Sequence, residues 1–254
     1  MFAKRLIKVL IRYMKLKNWF LFLCVVLATV CACGQGSDEE PEAPTDPNLG
    51  KSYFFLEQGK YREYNVYEIR YQAVDISDTL RYQLREEVGE AFESPKGQIS
   101  HFIRRYTRPT SAQAWELDSV WTARIEGDKA ISVENNVPLI KMVFPADTSR
   151  RWDGNLMNSR QPVIQRFKTF NKPFTVGLNT FLEAAEIEIS NQDDGITFRD
   201  IRREVYRDSI GLIYKFYNQV KLCSRPECLG QNKVESGRLY REELIAHGTL
   251  NEED

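Results

Sequence analysis

The chain has 254 residues, 42% hydrophobic and 28% charged, with a formal net charge of −1 and a mean hydropathy of −0.46, which excludes a polytopic membrane protein, a collagen-like chain and a wholly disordered one. Six of its 35 basic residues (Lys4, Arg5, Lys8, Arg12, Lys15 and Lys17) fall within the first 32 positions, where no acidic residue occurs, so the rest carries 29 basic against 36 acidic groups, a net −7. A chain of that sign, without clustered Lys and Arg, is not built to neutralise phosphates, and nucleic acid is excluded as a general partner.

Residues 19–30 form one apolar block behind Lys15 and Lys17. As a helix, twelve residues reach about 18 Å against a hydrocarbon core of roughly 30 Å, too short to span. A basic stretch, a short apolar core and a small-residue exit describe a secretory signal peptide. The exit, Val30-Cys31-Ala32-Cys33, resembles a bacterial lipobox, with an aliphatic residue at −3, a small one at −1 and then the cysteine. The resemblance implies lipidation of Cys33: diacylglycerol on its sulfur and an acyl chain on its freed amine, an effectively permanent anchor at about 0.8 kcal/mol per buried methylene. Cys31 is the weaker candidate because bulky Val30 would occupy its −1 site. Met14 opens a complete signal peptide by itself, and translation starting there is an alternative to a long basic leader.

Residues 34–48 contain nothing aliphatic larger than Ala and three prolines, a composition that cannot offset its ordering entropy and reads as a tether. Within it, Ser37-Asp38-Glu39-Glu40 resembles the short acidic export signal of surface-exposed Bacteroidetes lipoproteins; an acidic solvated linker is the other reading. The organisation expected is therefore a signal peptide over 1–32, a lipidated tether over 33–50 and one domain over 51–254, without repeats.

In that domain several runs alternate at period two. Tyr67, Ile69, Tyr71 and Ala73 share a face, Leu80, Tyr82 and Leu84 share another, and residues 75–78 make the turn between them. Trp115, Leu117, Trp121, Ala123 and Ile125 line one side of a third run that ends at Glu126-Gly127-Asp128, and core packing explains them better than a sugar-stacking platform. Further strands are expected over 99–106, 139–144, 181–189 and 210–220; residues 180–188 have some helix propensity, but their Glu-Ile-Glu-Ile end alternates. Enrichment in Tyr, Val, Ile and Phe, and spacing by Gly, Pro, Asn and Asp, predict a mainly β fold: a single antiparallel, curved sheet or partly closed barrel.

The aromatic-rich stretch 53–66 and the segment 204–215, Glu-Val-Tyr-Arg-Asp-Ser-Ile-Gly-Leu-Ile-Tyr-Lys, resemble the opening and a late strand of uncharacterised Bacteroidetes outer-envelope lipoproteins, with Phe55 in place of the usual proline. Trp152-Asp153-Gly154-Asn155 fits the same group as a mid-chain turn. The resemblance implies an envelope address and no particular activity.

Catalytic motifs are absent from the sequence. His101 sits in an alternating strand and His247 near the acidic carboxy terminus, at unrelated positions; neither belongs to a zinc helix, and no nucleophile elbow or phosphate loop occurs. Glu86-Glu87 and Asp193-Asp194 read as exposed turns, and residues 191–195 lack the spacing and closing Glu of an EF-hand, so neither a metal nor a cofactor is expected. Cys223 and Cys228, separated by Ser-Arg-Pro-Glu, are the cysteines left besides Cys33 once the signal is removed, and in an oxidising envelope they read as a structural disulfide at a hairpin tip. The function expected is a membrane-anchored, non-catalytic accessory or binding lipoprotein of the outer envelope, meeting the membrane through its lipid and a protein or glycan partner through its domain. The alternatives are a carboxylate-based hydrolase, whose paired carboxylates leave no linear signature, and a lipid or lipoprotein carrier with an apolar concave sheet.

Overall fold

A computed structural model describes residues 46–95 and 97–250. Cys33, Ser37, Asp38, Glu39 and Glu40 lie outside the described residues. Among those described, no helix is long and apolar enough to cross a membrane.

Among the described residues twelve strands follow one short 3-10 helix (Lys51–Tyr53): β1 (Lys60–Ala73), β2 (Ile76–Glu93), β3 (Ile99–Arg108), β4 (Glu116–Glu126), β5 (Lys129–Glu134), β6 (Val137–Val143), β7 (Arg151–Asp153), β8 (Ile164–Val176), β9 (Asn179–Asp193), β10 (Phe198–Arg207), β11 (Gly211–Leu222) and β12 (Val234–Thr249). Every paired neighbour is antiparallel, in the order β6-β5-β4-β3-β2-β1-β12-β11-β10-β9-β8-β7. The chain thus runs outward from β1 to β6, crosses to the other side and returns from β7 to β12, which pairs with β1. Twelve twisted strands cannot lie flat, and the sheet curls until its two ends nearly meet. The seam is bridged by the Ile140 amide donating to Gly154 O at 2.9 Å and by Trp152 Nε1 donating to Ile140 O at 3.1 Å. The result is a nearly closed, barrel-like single antiparallel sheet.

The period-two runs give the expected faces, with one break. Leu80, Tyr82 and Leu84 point inward opposite Glu68, Val66 and Tyr64, while Tyr67, Ile69 and Tyr71 form the outer face of β1. In β4 a register shift opposite Arg105/Tyr106 breaks the alternation. Trp121, Ala123 and Ile125 therefore pack on the core, whereas Leu117 is 60% exposed and Trp115 lies against Arg108 at 3.9 Å. Residues 180–188 are strand, and the β1–β2 turn is Val74-Asp75 rather than the longer one expected. Glu86 and Glu87, expected in an exposed turn, lie in the middle of β2, and Glu86 is buried: its charge is tolerated because Arg62 and Arg105 face it.

Strand directions place the chain's entry and exit at one end of the barrel, here called proximal. That end is plugged by the segment around the 3-10 helix. Gly50, which the sequence assigns to the tether, is buried with φ +90°, and a Cβ there would stand 2.5 Å from that of Ala146, so only glycine fits without displacement. The Ala146 amide donates to Leu49 O at 2.8 Å and the Ser209 amide to Ser52 O at 3.1 Å, while Tyr53 packs against Phe170 with ring centroids 5.2 Å apart. Core residues Tyr64, Phe144, Phe167, Met142, Ile187 and Ile213 fill the space above, each less than 2% exposed.

Candidate functional site

Cross-strand register lines up the inward side chains in rows. One row runs Tyr82, Val66, Glu242, Lys215, Glu204, Ile187 across β2, β1, β12, β11, β10 and β9. The next, toward the distal end, reads Leu80, Glu68, Tyr240, Tyr217, Arg202, Ser190, and a third reads Asp78, Arg70, Arg238, Gln219, Asp200, Gln192. Polar side chains at inward parity, two residues apart in otherwise apolar runs, are the signal that could have revealed this interior.

The centre of the barrel is an ionic cluster. Lys141 Nζ lies 2.7 Å from Glu204 and 3.2 Å from Glu134, and Lys215 Nζ lies 3.6 Å from Glu204. Tyr206 and Tyr217 donate to the two oxygens of Glu204 at 2.6 and 2.5 Å. Alongside, Arg105 contacts Glu86 at 3.0 Å and Glu242 at 3.4 Å, Arg62 contacts Glu86 at 3.6 Å, and the Tyr240 hydroxyl donates to Glu242. Four cations face four carboxylates, so the cluster cancels its own charge. Burial alone would raise the Glu204 pKa, but Lys141 and Lys215 outweigh it and hold the carboxyl at about 2. Glu134 is lowered in the same way against its own burial, chiefly by Lys141, and Lys141 is in turn raised by Glu134 and Glu204. These groups stay ionised at neutral pH.

Between this cluster and the plug lies a cavity of about 60 Å³, lined among others by Arg62, Glu86, Trp121, Glu134, Lys141 and Lys215. Arg62 Nε and Trp121 Nε1 on its wall have no protein partner. A space of that size holds a few waters, which would satisfy them, and falls well below the roughly 300 Å³ of small-ligand pockets. A larger cleft of about 310 Å³ opens at the distal end, beside the last residues of β3, between Arg70, Tyr82, Arg105, Thr107, Arg108 and Asp118.

The remaining sequence candidates have local roles. His101 Nδ1 sits 3.3 Å from Gly89 O, and His247 is exposed on β12, its pKa lowered by partial burial and by Arg207. Asp194 accepts from the amides of Ile196, Thr197 and Phe198, and Asp193 from Gly195 and Arg199, so these carboxylates serve their own turn. Among the described residues no cluster of three or more His, Cys, Asp or Glu is arranged to hold a metal. Trp152 is core rather than part of an exposed platform. Cys223 and Cys228 form the expected disulfide, Cα atoms 5.8 Å apart, in the β11–β12 loop at the distal end, where the Cys223 amide donates to Lys233 O at 2.8 Å.

No family model matches the chain, and no curated protein matches it. Two solved structures are similar in shape: a chain from Bacteroides fragilis described as exported and YmcC-like in fold (TM-score 0.43, 12% identity, covering 77% of this chain and 98% of that one), and one from Parabacteroides distasonis described as a lipoprotein (TM-score 0.41, 10% identity, with the same coverage).

Proposed function

We propose that the protein is a membrane-anchored, non-catalytic binding lipoprotein of the outer envelope, held by a lipid on Cys33 and meeting its partner through the outside of the barrel. The observation that carries the binding half is the self-neutralised centre: four ion-paired carboxylates and four cations leave only about 60 Å³ between the cluster and the plug, and the roomier cleft of about 310 Å³ opens outward at the distal rim. A carboxylate-based hydrolase needs one carboxyl protonated at working pH, and Glu134 and Glu204 are both held ionised. An acyl carrier needs a roomy apolar hollow, and this one, of about 60 Å³, is too small for an acyl chain and has six charged side chains on its wall.

The anchor rests on Val30-Cys31-Ala32-Cys33 behind the apolar block. Palmitate labelling should give a lipidated product that Cys33→Ala abolishes and Cys31→Ala largely spares; undiminished labelling of Cys33→Ala would refute the anchor. Native mass spectrometry tests the rest: a binding module leaves purification without a bound acyl ligand, whereas a carrier retains one.

A further inference from the structure

The six strands β9, β10, β11, β12, β1 and β2 rise together at the distal end, where Asp193, Arg199, Val220, Gly237, Tyr71 and Ser77 stand side by side in one row. β3 stops short of that level: its last residue, Arg108, pairs with Gln83. Residues 76–82 of β2 are therefore hydrogen-bonded to β1 on one side and, among the described residues, have no strand on the other. A free edge presents unpaired amides and carbonyls and is ordinarily blunted by proline, bulges or inward charge. The free stretch of β8 shows such devices, with Pro173, Lys168, Lys172 and three register shifts. On the far side of the raised wall, the free end of β9 is short and its Asp193 is bound to Arg199 and Gly195. The β2 edge has no proline and no bulge of its own over seven residues, its pairing with β1 is regular from Ser77 to Glu87, and its one inward charge, Asp78, is occupied within its own hairpin, accepting from Gln72 Nε2 at 2.5 Å.

We infer that this edge is an interface for a second copy of the chain, the two β2 strands pairing antiparallel about a two-fold axis through Thr79. The residues themselves select that register. Pairing centred on Thr79 sets Ile76 against the second copy's Tyr82, Ser77 against its Arg81, Asp78 against its Leu80 and Thr79 against its counterpart. β-branched–aromatic and Thr–Thr pairs are favourable across antiparallel strands, and no like charges meet. Centring one residue earlier would put Asp78 against Asp78, and two residues later Arg81 against Arg81. The length fits as well: beyond Tyr82 each copy's Gln83 is taken by Arg108, so the seven free residues of one copy occupy the gap left by the other. The contact is isologous and closes at a dimer.

Thr79 is exposed and tolerates substitution, and opposed residues in antiparallel strands lie about 4.5–5.5 Å apart at Cα, within disulfide range. Full-length Thr79→Cys, expressed in cells and run on a non-reducing gel, should give a band at twice the chain's mass that collapses on reduction. Wild type and Ser77→Cys should remain single chains, because Ser77 faces Arg81, and the double variant Ser77→Cys with Arg81→Cys should cross-link. Independently, the purified full chain in detergent should sediment as a dimer, and Thr79→Pro as a monomer with unchanged circular dichroism. A freely alkylated, monomeric Thr79→Cys, equal cross-linking of Ser77→Cys, or a disulfide adduct to a chain of different mass would each overturn the proposal, the last by assigning the edge to a foreign strand.

Discussion

Glu204 shows what one buried charge costs and returns. Its carboxylate is 1% exposed and is held by two lysines and two tyrosine hydroxyls, so its desolvation is offset only while all four remain. Glu204→Leu should leave Lys141 and Lys215 with a deficit of negative charge and lower stability by about 3–5 kcal/mol in urea unfolding, the range for breaking one side of a buried pair. Its pKa in the fold, about 2 against an ordinary 4.5, fixes the sign of the pH dependence: the folded state binds the proton less readily than the unfolded one, so the stabilisation is complete above about pH 4.5 and is lost as pH falls toward 2. Thermal midpoints should drop across that window, and Glu204→Gln should flatten the drop; an unchanged slope would mean that other carboxylates govern acid unfolding. Gly211 makes a second residue-scale case. Its φ is +96° and a Cβ would meet Arg62 Nη1 at 2.6 Å, so the glycine that opens β11 opposite Arg207 is what lets the Arg62 guanidinium approach the backbone there. Glu86 looks like a surface residue in sequence because single charges look alike in a linear string. What makes Glu86 interior is the arrival of Arg62 and Arg105 from neighbouring strands, which no local pattern encodes.

Strands were legible wherever alternation was uninterrupted. β1 and the first two thirds of β2 follow their period-two patterns closely. β9 is strand without clean alternation, its Ala184, Ala185, Glu186 and Ile187 all buried, and propensity for helix over 180–188 lost to its pairing with β8 and β10 on its two sides. The misread element was β4, where a register shift, invisible in sequence, sends Leu117 outward. The β11–β12 connection was legible from its cysteines, separated by four residues around Pro226, though the whole loop, residues 223–233, is longer than that ring. Because so short a ring constrains the unfolded chain little, Cys223→Ser with Cys228→Ser should cost no more than about 2 kcal/mol by denaturant titration and leave the fold intact. A loss much above that would give the bridge a part in packing β11 against β12. The distal cleft and the free edge of β2 were beyond sequence reading, since both depend on β3 ending seven residues below the β1–β2 turn.

At the scale of the molecule, a curved antiparallel sheet follows from many short aromatic and β-branched strands, whereas the order of strands around it does not, because the pairing of β1 with β12 joins segments nearly two hundred residues apart. The acidic run Ser37, Asp38, Glu39 and Glu40 carries the proposal that the domain faces outward. Protease shaving of intact cells should remove the wild-type domain, and replacing the three acidic residues by Ala should protect it; a protected wild type would leave the run a mere linker.

The pairing of the first strand with the last also sets a timetable. A chain exported amino terminus first delivers β1 long before β12, and the plug around Tyr53 needs Ala146 and Ser209, which arrive between the two. Until the carboxy-terminal strand emerges, β1 and β11 each wait with an open side, in a topology whose long-range contacts make folding slow. Barrel closure is thus a terminal event, and a chain shortened by β12 should collect as aggregate or degradation product rather than as a smaller stable domain. Pulse-chase protease resistance in the envelope would read this directly, with protection appearing only after the last residues have crossed.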